Sequence, residues 1–148
     1  MGKRTKTRKY IFSVIAFASI LLVLTFAVFK IDNSTNEMIV EYVSNLGWEI
    51  EDSPEEISRF KIPEIFDEIF EEYNSLQKES GFDLSEYKGK SVLRYSYVIK
   101  NHKESQNKTI LINIIVLEKR IIGGDVSSKG INGFMHPIND ISYIVSIT

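Results

Sequence analysis

Twenty consecutive uncharged residues, Tyr10 to Phe29 (YIFSVIAFASILLVLTFAVF), constrain this chain more than any other feature. As a helix they would measure roughly 30 Å at about 1.5 Å per residue, the thickness of a bilayer's hydrocarbon core. Ser13, Ser19 and Thr25 are tolerable there, because a hydroxyl can bond back to a helical carbonyl. The apolar character runs all round, so a soluble helix would have no polar face to present. The preceding MGKRTKTRK holds five basic residues, which predicts a cytoplasmic N-terminus. Everything after Lys30 is then expected outside the cytoplasm, on a single-pass protein of the cell membrane. Cleavage as a signal peptide at Thr25-Phe26-Ala27 is the rival reading. The length of the run, with bulky Phe29 and Ile31 behind it, favours an uncleaved anchor.

The net charge of −2 conceals an asymmetry. Residues 1–30 carry six basic side chains and no acidic ones, whereas residues 31–148 carry 12 basic and 20 acidic, a net of −8. A body this acidic is not expected to bind nucleic acid, which needs lysines and arginines to neutralise phosphates. The chain has no cysteine. That excludes disulfides, thiolate nucleophiles, Cys-ligated zinc and a lipidated Cys anchor.

Residues 31–36 read as a polar joint and 37–148 as one extracytoplasmic domain. Ser34 and Glu37 have capping-box spacing, Met38, Ile39, Tyr42, Val43 and Leu46 recur at helical intervals, and Gly47 is a stop. Trp48 to Glu51 alternates as a half-buried strand does, and Ile57–Ile62 can extend. Pro63 suits the first position of a second helix. Its apolar stripe would be Ile65, Phe66, Ile69, Phe70, Tyr73 and Leu76, with Gly81 ending it. Residues 91–100 alternate, placing Leu93, Tyr95, Tyr97 and Ile99 on one face. Asn101–Lys108 is a polar loop, and TILINIIVL (109–117) suits a central strand covered on both faces. Glu118-Lys119-Arg120 turns the chain into a third strand over 120–126. Ile141, Tyr143, Val145 and Ile147 alternate as a last strand would. The expected architecture is α+β: an N-terminal transmembrane helix, then a small domain with two amphipathic helices packed on an antiparallel sheet.

The stretch Arg120–Ile138 concentrates the polar chemistry. Asp125, Ser127 or Ser128, and His136 supply the residue types of a hydrolase, which needs a base near a hydroxyl and a carboxylate orienting that base. No GxSxG elbow surrounds either serine. The bland reading is a strand in which Gly123 and Gly124 permit a bulge or a close backbone approach, followed by a polar turn, with Asp125 bonding local amides. Phe134 and Met135 would then dock back on the core. A phosphate loop is set aside, since a strand precedes the glycines and no helix follows. His102 and His136, 34 positions apart, show no metal-ligand spacing. Glu49 to Glu72 holds ten acids but no DxDxDG pattern for calcium, and no pair stands out for glycoside chemistry. Asn33-Ser34-Thr35 and Asn107-Lys108-Thr109 match glycosylation triplets that matter only in a eukaryotic secretory context. Trp48 reads as a core anchor.

Several segments occur in a characteristic order: NLGW (45–48), IPEIFD (62–67), EYNSLQK (72–78), GFDLSEYKGK (81–90), RYSY (94–97), IGGD (122–125) and GFMH (133–136). Together they resemble the domain of unknown function 4830 family of short bacterial membrane-anchored proteins. The resemblance implies a Gram-positive source and an extracytoplasmic domain. It implies no established activity, so no residue role carries over. A glycine and a leucine tend to follow GFMH in that pattern, whereas Pro137-Ile138 follow here.

Three functions are open at this point. The first is a non-catalytic module that binds another envelope protein or a peptide, anchored in the lipid bilayer through Tyr10–Phe29 and requiring no cofactor. The second is a surface hydrolase using His136 with Ser127 or Ser128. The third is a cell-wall or ligand-binding module on the aromatic face of Tyr95 and Tyr97. Gly123, Gly124, Asp125, Phe134, Met135 and His136 are the candidate signature, and changing Asp125 or His136 is expected to cause a structural defect.

Overall fold

The computed structural model describes residues 33–130 and 132–145. No helix among the described residues is long and apolar enough to cross a membrane, and the expected span Tyr10–Phe29 lies outside them.

Helix α1 covers residues 33–45. Asn33 and Ser34 are already helical, so Ser34 does not cap this helix, and the expected joint is helical from residue 33 onward. No proline or glycine interrupts these polar residues. Five strands follow: β1 (Glu56–Lys61), β2 (Ser91–Val98), β3 (Ile110–Leu117), β4 (Arg120–Ser128) and β5 (Met135–Pro137). They form one antiparallel sheet in the order β1-β2-β3-β4-β5. Between β1 and β2 lie helix α2 (Glu68–Glu79) and a 3₁₀ turn at Leu84–Tyr87. Residue 50 contributes only an isolated bridge to Ile99, not a strand.

Alternation divides the core into two layers, because successive side chains of a strand face opposite sides. On one side of the sheet Ile39, Val43 and Trp48 pack with Tyr95, Tyr97, Ile112 and Ile114. On the other, Ile62, Leu84, Val92, Ile115 and Ile122 pack beneath Phe66, Phe70 and Tyr73. β3 is covered on both, as its near-continuous apolar run predicts: Ile110 to Val116 are all buried. Trp48 is 1% exposed and its indole N–H donates to the Ile138 carbonyl at 2.8 Å, which makes it a core anchor.

Four expectations are corrected. The second helix starts at Glu68, not at Pro63, because the Asp67 carboxylate accepts from the Phe70 N–H at 2.8 Å and so caps the first turn. The β4 irregularity falls one residue before the glycines. Ile115 pairs with Gly123 and Val116 with Ile121, which leaves Ile122 as the extra residue of the bulge. The tail does not add a strand. The Asp140 carboxylate accepts from the Ser142 N–H at 3.2 Å and hydroxyl at 2.6 Å, which nucleates a 3₁₀ turn over Ile141–Tyr143. Tyr95 and Tyr97, at 5% and 0% exposure, are core residues and offer no open aromatic platform.

The β3–β4 turn is a tight two-residue connection. Glu118 and Lys119 both have positive φ, 48° and 62°, as the twist of such a hairpin requires.

Candidate functional site

Helix α2 leaves part of its apolar stripe outside the core: Phe70 and Tyr73 are half-buried against it, but Ile69 is not. Its buried residues are Asn74 and Gln77, whereas Ile69 is 78% exposed, and Ile65 just before it is 87% exposed. The polar seam has defined partners. Asn74 accepts from the Leu84 N–H at 2.7 Å and donates to the Asp83 carboxylate at 2.9 Å. Gln77 accepts from the Gly124 N–H at 2.8 Å through its amide oxygen. That last bond needs the helix close to β4. A Cβ on Gly123 would stand 2.9 Å from the Gln77 oxygen and 3.2 Å from Leu84, so glycine lets the helix approach.

With Asn74 and Gln77 turned to the sheet, the stripe lines an open groove of about 710 Å³. Ile69, Phe70, Tyr73 and Leu76 form the helical wall, Ser58 and Phe60 of edge strand β1 form the other, and Arg94 and Met135 also line the groove. Ser58 and Arg94 are cross-strand partners, and the small serine keeps the groove open over β1 and β2.

Below Tyr73 a polar row crosses the sheet in register: Ser96 opposite Asn113, and Asn113 opposite Asp125. The Ser96 hydroxyl donates to the Asn113 amide oxygen at 2.7 Å. The Asn113 amide nitrogen donates to Asp125 at 2.7 Å and to the Ser127 hydroxyl at 2.9 Å. The Tyr73 hydroxyl donates to the other Asp125 oxygen at 2.8 Å. Asp125 is 1% exposed. Burial pushes its carboxyl above the usual range, opposed by the bonds from Asn113 and Tyr73 and by the Arg94 charge. Burial and the facing carboxylate likewise raise the Tyr73 phenol. Asp125 therefore ties β4 to α2, 52 residues away, where local amide contacts were expected.

The hydrolase residues are not brought together. His136 pairs with Val126 and so faces the side opposite Asp125. Its ring nitrogens meet the Pro137 carbonyl at 2.9 Å and His102 Nε2 at 3.4 Å. The Ser127 hydroxyl takes Asn113, and the Ser128 hydroxyl accepts from the Phe134 N–H at 2.9 Å. Phe134 docks at the core edge as expected. Met135 does not: it is 48% exposed and lines the groove.

Sequence spacing missed the meeting of His102 and His136, because the packing of a loop on β5 rather than proximity along the chain joins them. The two rings lie among Trp48, Phe134 and Tyr143, with ring centroids 4.3–6.1 Å apart. Among the described residues no group of three or more metal-ligating side chains forms. The 2.8 Å bond from Trp48 to Ile138 closes the same side of the sheet.

No curated protein and no solved structure matches the chain. A family model does match, over residues 42–126, from the end of α1 through Asp125 and including α2, the groove walls Ser58 and Phe60, and Arg94. The chain belongs to the family described as Domain of unknown function (DUF4830).

Proposed function

We propose that this chain is a membrane-anchored, extracytoplasmic, non-catalytic module that binds an extended segment of another envelope protein in the groove between α2 and β1. The observation that carries the reading is Ile69, 78% exposed on a wall of aromatic and aliphatic side chains beside an edge strand. Exposed apolar surface of this kind marks a binding site, and an edge strand can pair with an extended chain. Arg59 and Arg94 line the groove against one acid, Glu72, and neither arginine makes an ion pair among the described residues. The partner segment is accordingly apolar with an acidic residue that reaches Arg94. The anchor Tyr10–Phe29 supports placing this encounter outside the cytoplasm. A separation of Asp125 and His136 onto opposite sides of the sheet favours binding over hydrolysis.

A photocrosslinking side chain at position 69 of the full chain, in cells, tests the reading. A discrete adduct is expected at position 69, absent at Glu41 on α1 and lost in an Arg94→Glu background. Equal labelling at both positions, or none, removes the groove as the binding site.

A further inference from the structure

The buried His102–His136 contact has only one hydrogen arrangement that satisfies every partner. The rings are nearly coplanar, 19° apart, with centroids at 5.6 Å and Nε2 atoms facing at 3.4 Å, so they meet edge to edge. The Glu104 backbone N–H donates to His102 Nδ1 at 3.0 Å. That nitrogen must offer a lone pair, which puts the hydrogen of a neutral His102 on Nε2. His102 then donates to His136 Nε2, and the His136 hydrogen sits on Nδ1, where the Pro137 carbonyl accepts it at 2.9 Å. The series starts at a pure donor and ends at a pure acceptor. Both rings are neutral and all four nitrogens are engaged.

An added proton has no acceptor. On His136 Nε2 it would face the His102 N–H, and on His102 Nδ1 it would face the Glu104 N–H. Either places two donors head to head at side chains that are 1% and 7% exposed, among Trp48, Phe134 and Tyr143. A metal would need both Nε2 atoms free of hydrogen and would force His102 Nδ1–H against the same amide, so the geometry is that of a proton-sensitive contact.

The charged neighbours are few. Lys103 Nζ lies 3.8 Å from the Tyr143 ring centre and Lys108 Nζ 5.8 Å from that of Phe134. Glu104 favours a proton on His102, whereas burial, His136 and Lys103 disfavour it, and the balance lowers the His102 imidazolium below its ordinary range. Asp125 and Asp140 also interact with His136 across the fold.

The contact joins two segments. His102 bridges Ile144, the Lys103 N–H donates to the Tyr143 carbonyl at 2.9 Å, and the Val145 N–H donates to the Asn101 carbonyl at 2.9 Å. β5 is three residues long and its first residue, Met135, lines the groove. We propose that the His102–His136 pair is an acid-released latch: one proton separates the loop 101–108 from the segment 134–145 and withdraws Met135 from the groove wall. The effect on the groove rests on the binding reading above; the latch itself does not.

Amide exchange of the full chain, corrected for the intrinsic pH dependence, tests it between pH 8 and pH 5. Lys103 and Val145 are expected to lose at least roughly tenfold protection in acid, the factor that one unit of differential proton affinity implies, while β3 keeps its protection. His136→Gln should reduce the acid dependence to the part that His102 alone supplies. If that variant does not fold, imidazole ¹⁵N shifts of the wild type at pH 8 decide instead: hydrogen on His102 Nε2 and His136 Nδ1 is required, and the reverse tautomers overturn the latch. Unchanged protection at Lys103 and Val145 down to pH 5 also overturns it. Acid release without a crosslink at position 69 would sink the groove reading and leave the latch standing; a crosslink at position 69 with acid-independent exchange would do the opposite.

Discussion

Asp125 and His102 make stability respond to pH in opposite directions. The Asp125 carboxyl is raised by burial, so between its ordinary value and the raised one the unfolded chain is ionised while the folded chain holds the proton. Stability therefore falls as pH rises through that window. His102 is lowered, so its contribution is complete above the unfolded value of about 6.5 and is lost as pH falls. Between about pH 4 and pH 6.5 the two slopes oppose one another, so melting temperature should vary less with pH there than either group alone would make it. Asp125→Asn is expected to flatten the decline on the alkaline side of about pH 4 and leave the acid loss near pH 6 in place. Gly124 gives a second residue-scale prediction. An added Cβ would stand 2.8 Å from Ile138 Cδ1 and 3.1 Å from the Asn113 carbonyl, and the carbonyl belongs to β3 and cannot yield. Gly124→Ala should cost about 1–3 kcal/mol by denaturant titration. The close approach at these glycines was legible in IGGD. The Tyr73–Asp125 bond and the His102–His136 contact were not, because they join residues 52 and 34 positions apart through tertiary packing, α2 on β4 in the first case and a loop on β5 in the second.

The element that departs furthest from its sequence pattern is α2. Periodicity located an amphipathic helix correctly and assigned its apolar stripe to the core, since a stripe ordinarily faces inward. Two bonds to partners outside the helix set its angle, Gln77 to the Gly124 N–H and Asn74 to the Leu84 N–H, so Phe70 and Tyr73 reach the core while Ile69 stays outside it. No periodicity argument contains those partners. Two substitutions separate stability from binding here. Asp67→Ala removes the cap on the Phe70 N–H and should cost about 1 kcal/mol. Ile69→Glu sits at an exposed position, so its melting curve should match wild type to within about 0.5 kcal/mol while a photocrosslinker placed at Ser58 on the opposite wall loses its adduct. A large loss of stability in Ile69→Glu would mean that the side chain belongs to the core after all. The strands were more legible than the helix. β3 announces itself by an unbroken apolar run, and β2 by alternation, whereas the alternating tail misled because Asp140 turns the chain into a 3₁₀ helix first.

At the scale of the whole molecule every strand pairs only with its neighbours in sequence, so the sheet has no crossover. Loop closure costs little for the β3–β4 hairpin, whose turn is the two residues Glu118 and Lys119. β1 differs: α2 and the Leu84–Tyr87 turn separate it from β2. Local pairings form fast and distant ones slowly. The hairpin is thus expected to carry the folding nucleus and β1 to join late. Stopped-flow kinetics with Trp48, the one tryptophan of the chain, would read this directly. Ile112→Val should slow folding, and Phe60→Leu should chiefly accelerate unfolding. The strand that walls the groove then has a lifetime of its own, shorter than that of the hairpin. An incoming chain would meet that wall as the last-folded edge of the sheet, and its rate of capture would be set by how often β1 detaches and returns.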